Sequence, residues 1–176
     1  MTLLRIEHHV ASNAMVLGVQ VPPQIPIMKL MITGHRFSKL TCYDIEFIKL
    51  AIWDTLLKEN ARNFVVGLSG MASGVDLWFC DLCRQNGIIY IACPPFLEQR
   101  DLMIDEQETI LRDELLKSAR ETRLIRNSEM IRMADLGIVV WDGNKGGTHN
   151  AVQQLIENKK GFYWINPVSQ KIWECF

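Results

Sequence analysis

The chain has 176 residues, 48% of them hydrophobic, and a formal net charge of −1, enough to build one domain with a full core and too little for two comfortable ones. No run of lysine or arginine exceeds two residues, so the electrostatic footprint of a nucleic-acid binder is missing and nucleic acid is disfavoured as a partner. No apolar stretch reaches the roughly 18 residues of a membrane helix, and the N-terminus lacks the ordered regions of a signal peptide; the expectation is a cytoplasmic protein with no membrane partner.

Residues 1–27 show no helical period and carry Pro22, Pro23 and Pro26 within five positions, which predicts an extended arm on a stiff linker. If ordered, its segment "MVLGVQV" could add an edge strand or meet a partner chain. A Rossmann-like nucleotide-binding domain is then expected over residues 28–176. Its first strand is "IMKLMIT" (27–33), followed by a helix over 43–60 with Ile45, Ile48, Ile52 and Leu56 at helical spacing. "NFVVGL" reads as the second strand and "GVDLWFCDLCRQN" as a helix ended by Gly87, where a helix C-terminus favours glycine. "IIYIAC" reads as the third strand, closed by Pro94 and Pro95. "DEQETILRDELLKSA" is a charged helix, and "NSEMIRMA" a short one for which Asn127 or Ser128 would serve as N-cap. "LGIVVW" is the fourth strand, "THNAVQQLIENKK" the last helix, "GFYWIN" the fifth strand, and "PVSQKIWECF" a tail that could form a hairpin.

Continuous apolar strands alternating with helices predict a three-layer, Rossmann-like α/β domain: a mainly parallel sheet of about five strands with helices on both faces. Ligands of such sheets sit beyond the carboxyl ends of the strands, where strand order reverses. The usual 3-2-1-4-5 order makes the first and fourth strands neighbours, so the loops beginning at Gly34 and Asp142 should lie side by side.

Three of the loops at that edge stand out. The first, "TGHRFSK", offers Gly34 for close backbone approach and His35 and Arg36 as donors to a phosphate or carboxylate. The second, "GLSGMASGVD", places Ser69, Gly70, Ser73 and Gly74 directly before a helix, with Asp76 in its first turn, better suited to steadying the loop than to acting on substrate. The third, "WDGNKGGTHN", carries Asp142, Gly146, Gly147 and Thr148. Glycines there serve a tight turn, or they keep side chains away so that helix N–H groups can hold a phosphate. Thr148 can cap the helix or bond a phosphate oxygen, and Lys145 is either a phosphate partner or a solvated charge. In "CPPFLEQR", Phe96, Gln99 and Arg100 are types that contact a base, although a loop packed by its own aromatic is the simpler reading. Arg126 could reach a ligand or cap a helix C-terminus. Five scattered cysteines fit reduced thiols. The Cys80-x-x-Cys83 pair lies inside a helix without a second ligand pair, so neither a metal nor a cofactor is expected.

Taken together, "TGHR", "SGMASGVD", "PPF" and "RNSEMIRMADLGIVVWDGNKGGTHNAV" resemble the SLOG superfamily, which includes the LOG-type phosphoribohydrolases and DNA-processing protein A, and most of all its YpsA-like branch. The resemblance covers about Lys29 to Pro167. It implies a Rossmann-like sheet that binds a nucleotide or nucleotide-derived small molecule through the "TGHR", "SGMASG" and "GGT" loops. The LOG-type enzymes place acidic residues two and three positions after the threonine and an Arg-Lys pair before the preceding helix. Here Thr148 is followed by His149, Asn150 and Ala151, and the pair reads Arg126-Asn127. Hydrolysis would therefore need Asp142, Asp76 or Glu98 as its carboxylate. The resulting expectation is a sensing or regulatory module that acts as a homo-oligomer or on another protein, with N-glycosidic hydrolysis of nucleoside monophosphates as the alternative.

Overall fold

The computed structural model describes residues 26–103 and 105–176. Apart from Pro26 and Ile27, the expected arm and its "MVLGVQV" segment lie outside the described residues. In chain order the elements are β1 (Ile27–Gly34), α1 (Phe37–Leu40), α2 (Ile45–Asn60), β2 (Phe64–Ser69), α3 (Val75–Gln85), β3 (Ile89–Ala92), a 3-10 turn (Leu97–Leu102), α4 (Glu106–Ser118), β4 (Glu121–Thr122), α5 (Asn127–Met133), β5 (Leu136–Val140), α6 (Gly147–Glu157), β6 (Gly161–Asn166) and β7 (Lys171–Cys175). They form one sheet in the order β4-β3-β2-β1-β5-β6-β7, parallel except for the antiparallel β6–β7 pair.

The alternation of side chains along a strand divides the core into two layers. On β1, Leu30 and Ile32 point into the cluster formed with Ile48, Ile52 and Leu56 of α2 and with Leu77 and Phe79 of α3. Met31, one residue out of phase, enters the opposite cluster with Ile131 of α5 and Ala151, Val152 and Leu155 of α6. All three side chains are fully buried, each stabilising by about 1.5–3 kcal/mol relative to exposure. All five residues of β5 are buried as well, as a strand covered on both faces requires. Cys80 and Cys83 belong to the first cluster, and burial pushes both thiols well up.

Local chemistry sets the element ends. Asp44 accepts a hydrogen bond from the Phe47 N–H at 3.0 Å and starts α2 two residues later than the apolar pattern suggests, a cap worth about 1 kcal/mol. Asp105 does the same for α4, accepting from the Glu108 N–H at 2.9 Å. At α5 the expectation is corrected: Arg126 holds the N-cap position without a side-chain bond, and Asn127 begins the helix. Among the described residues the sheet has seven strands, where about five were expected. The additional ones are β7, the antiparallel arm of the C-terminal hairpin, and β4, only two residues long and paired with Ile91 and Ala92. Two residues are too few to carry a period in the sequence. The five longer parallel strands stand in the expected order, so β1 and β5 are neighbours, with Gly34 paired to Val140.

Candidate functional site

At the carboxyl edge of β1, β2 and β5 the loops enclose a cleft of about 450 Å³. From the first loop it takes Thr33, Gly34, His35 and Arg36, with Ser38 and Lys39 of α1. Gly70, Ala72 and Asp76 come from the second loop and the start of α3, and Gly146, Gly147 and Thr148 from the third loop and α6. Pro95, Gln99 and Asn127 close the remaining side. Nine of the residues singled out in the sequence therefore share one cleft: Gly34, His35, Arg36, Gly70, Asp76, Gln99, Gly146, Gly147 and Thr148.

The first and third loops are joined by a buried histidine. His35 lies with Nε2 2.9 Å from Asp142 Oδ1 and Nδ1 3.5 Å from Thr148 Oγ1. An Nε2–H facing the carboxylate leaves Nδ1 to accept from the Thr148 hydroxyl. That hydroxyl does not cap α6. Asp142 is held on several sides: it accepts from the Asn144 N–H at 2.9 Å, from the Asn144 amide at 3.0 Å and from the Tyr43 hydroxyl at 3.2 Å. Burial works against its charge, but the hydrogen bonds from Asn144 and His35 prevail and hold the carboxyl at about 2. Asp142 thus shapes the third loop from behind and does not line the cleft. Trp141 supports the same loop from below: its indole N–H donates to the Asn144 carbonyl at 2.8 Å, and its ring packs 5.3 Å from that of Trp164.

These supports leave the start of α6 open. Asn150 N–H bonds back to the Gly146 carbonyl at 3.0 Å, whereas among the described residues the N–H groups of Gly147, Thr148 and His149 meet no protein acceptor. No acidic residue occupies the first turn, so the positive end of the helix dipole is not neutralised from within. A Cβ at Gly147 would meet nothing within 4 Å, and its φ is not positive. Neither packing nor backbone geometry requires glycine at this position.

The second loop is closed by the protein itself. The Gly74 N–H donates to Glu108 Oε1 at 2.8 Å, and the Ser73 hydroxyl donates to the other oxygen of the same carboxylate. Ser69 turns inward, donating to the Asp76 carbonyl at 3.0 Å and accepting from the Met71 N–H at 3.1 Å. Gly74 has φ of 89°, and a Cβ there would lie 2.5 Å from the Phe37 backbone nitrogen, so glycine is obligatory for local reasons alone. Gln99 locks the turn from the other side, donating to the Gly70 carbonyl at 3.0 Å while Arg112 donates to its Oε1 at 3.4 Å. Ser69, Ser73 and Gly74 accordingly stand behind the cleft wall.

Asp76 does two things. It accepts from the Ala72 N–H at 3.4 Å, steadying the loop, and it also lines the cleft. Burial pushes its carboxyl up to about 7, against the opposing pull of the Ala72 and Gly70 N–H groups and of Arg36. Of the three carboxylates named for hydrolysis, it alone lines the cleft. Arg126 is exposed and outside the cleft. Phe96 is 40% exposed, so the third-strand loop is anchored by Gln99 and not by its own aromatic. Arg100 pairs with Asp113 at 3.1 Å.

Glu108 and Arg112 were not singled out in the sequence. Four residues apart in a charged helix, they look like a solvated face, yet both are buried. Ser38 and Lys39, quoted only as part of "TGHRFSK", and Asn127, expected only as a helix cap, also line the cleft.

No family model matches the sequence, and no curated protein matches it. In fold, the chain is similar to DNA processing protein A from Helicobacter pylori, for which a single-stranded DNA binding mode is described, with a TM-score of 0.56 and 19% identity over 80% of this chain and 65% of that one. It is similar to DNA processing protein A from Streptococcus pneumoniae, with a TM-score of 0.53 and 16% identity over 80% of this chain and 50% of that one. A third likeness is to TM1055, with a TM-score of 0.51 and 15% identity over 77% of this chain and 72% of that one. The chain thus spans between half and two thirds of the two DNA processing proteins. The likeness is one of fold: the domain shares a Rossmann-like fold with these proteins. The expectation that disfavoured nucleic acid as a partner is corrected by the Helicobacter pylori protein, since this fold does serve a single-stranded DNA binder. Net charge is a sum over the whole surface, whereas Arg36 and Lys39 put two cations on this cleft.

Proposed function

We propose that the cleft binds a nucleotide or nucleotide-derived small molecule by its phosphate, as a sensing or regulatory module. The observation that carries this reading is the open start of α6. Three N–H groups without protein acceptors and a glycine that the fold does not need stand in one cleft with Arg36 and Lys39. A phosphate there would receive backbone hydrogen bonds and the helix dipole from one side and cationic side chains from the other. His35, already bonded to Thr148 and Asp142, would hold the two loops in register around it.

The test is a panel of nucleoside monophosphates followed by calorimetry, thermal unfolding and chromatography of the products. Binding with the glycosidic bond intact supports the reading, and at ~100 times the dissociation constant the protein should gain about 2.7 kcal/mol of stability. Rapid release of free base would replace it with a hydrolase in which Asp76 supplies the carboxyl group. Failure of every member to bind would refute it.

The fold likeness to a single-stranded DNA binder favours a second reading, in which the same cleft holds the backbone of a single strand. Anisotropy with a labelled oligothymidylate at two salt concentrations separates the two, because strand binding weakens steeply with salt. Affinity for the oligomer far above that for the mononucleotide would favour the second.

A further inference from the structure

The wall of the cleft on the β2 side is built from two side-chain amides and one carboxyl group around Gly70. Gly70 has no positive φ, yet a Cβ on it would lie 3.0 Å from Asp76 Oδ2 and 3.6 Å from Asn127 Oδ1. Glycine there keeps a small polar recess open. Gly70 follows β2 and α6 follows β5, with β1 between them in the sheet, so the recess and the start of α6 are roughly two strand spacings, about 10 Å, apart. A nucleoside monophosphate seated by its phosphate on α6 would bring its base to that end.

Gln99 is 5% exposed and lines this wall, and its amide has one orientation. Arg112, 4% exposed, donates to Gln99 Oε1 at 3.4 Å. A guanidinium only donates, so the amide oxygen must face it. Gln99 Nε2 donates to the Gly70 carbonyl at 3.0 Å, which leaves one amide N–H for a ligand. The arginine itself is poorly served: its Nε meets no acceptor among the described residues, and its Nη1 lies 3.9 Å from Asp113 Oδ1. A buried cation with so weak a partner is costly, and its one buried contact fixes an amide of the cleft. Asp76, 8% exposed, supplies a second group. Burial pushes its carboxyl up to about 7, so below neutral pH it holds a proton to donate. Asn127 can turn its amide to give or to accept, so it adds no bias.

We propose that Gln99, oriented by Arg112, and Asp76 form a base-reading subsite of two donors, which selects a nucleobase with a carbonyl at its outer edge, such as hypoxanthine or uracil, over one with an amino group there, such as adenine or cytosine. This rests on the phosphate reading of the α6 start, which holds the other end of the ligand. A base carbonyl accepts from both groups. An amino group turns its own hydrogens on them and leaves two buried donors unpaired. Gln99 and Asp76 then determine specificity, and Arg112 acts through Gln99 as a positioning residue.

The experiment measures affinity at pH 6 for ribose 5-phosphate and for two pairs of monophosphates, inosine against adenosine and uridine against cytidine. It uses the wild type, Gln99→Glu and Arg112→Met, each checked for folding by thermal unfolding. In the tighter-binding pair the oxo member should bind at least tenfold better than the amino member, and both variants should lower that ratio at least fivefold while still binding ribose 5-phosphate. An equal or reversed wild-type ratio overturns the inference, as does a folded variant of either kind whose ratio is unchanged. Monophosphates that bind no tighter than ribose 5-phosphate overturn the subsite and leave the phosphate site standing. Absence of binding by all five, ribose 5-phosphate included, overturns the phosphate site and this inference with it. If neither variant folds, the wild-type ratio still decides.

Discussion

The turn from Ser69 to Gly74 and the turn from Asp142 to Gly147 have nearly the same ingredients, each with two or more glycines between a buried strand and a helix, and each reaches the same edge of the sheet. Their donors go to different places. In the first, Glu108, Gln99 and the Ser69 hydroxyl are bonded to the turn, and its glycine at 74 is fixed by φ and by a backbone neighbour. In the second, Asp142, Asn144 and Trp141 brace the loop from behind while the first N–H groups of α6 stay open. A glycine-rich turn before a helix is therefore no sign of a ligand in itself. What distinguishes the two is whether a carboxylate from elsewhere in the chain has already taken the seat.

The comparison can be broken most forcefully at Gly74. Gly74→Ala places a Cβ at a strained φ and against the Phe37 nitrogen, and the cost should be about 3 kcal/mol or more. A urea midpoint close to wild type would show that the first turn is not locked as described.

Asp76 gives the next effect, seen in pH. Its folded pKa of about 7 lies above the ordinary aspartate value of 3.8. Between these values the native state holds a proton that the unfolded chain has lost. Its contribution is complete below about pH 4 and fades as pH rises through 7, with a slope on the order of 1.4 kcal/mol per pH unit at its steepest. Asp76→Asn should flatten that part of the stability profile. An unchanged profile would place the buried proton elsewhere.

At Gly147 the expected effect moves from stability to binding. A Cβ at Gly147 would meet no atom within 4 Å, so for Gly147→Val the melting temperature should stay near wild type. Phosphate affinity should fall about tenfold, the loss of roughly one charge-assisted hydrogen bond. Lost stability with unchanged affinity would make this turn resemble the first and refute the phosphate seat. The smallest effect belongs to Lys145, an exposed charge on the same loop that does not line the cleft. Lys145→Ala should alter stability by less than about 0.5 kcal/mol and affinity by a few-fold at most, mainly at low salt. A tenfold loss would extend the binding surface out to the loop tip.

Much of this was legible in the residues alone. The apolar runs of β1, β2, β3, β5 and β6 and the spacing of Ile48, Ile52 and Leu56 indicate a doubly wound sheet, because strand and helix periods are local properties of the chain. The order of those strands then follows from topological preference, which brought Gly34 and the loop after Val140 together as expected. β4 was not legible, since a two-residue bridge has no period. The roles of Glu108 and Arg112 were not legible either, because a charged pair four residues apart on a helix reads the same in water as against a neighbouring loop.

By itself, then, the sequence determined the layers of the domain and the two glycine-rich turns at one edge of its sheet, all of which depend on short-range pattern. Only the tertiary structure decided between those turns. Burial of Glu108 on the Gly74 N–H, the clasp of His35 on Asp142 and Thr148, and the open donors at the start of α6 all depend on groups distant in the chain. A hydrogen-bond donor is available to a ligand only when no other part of the fold has reached it first.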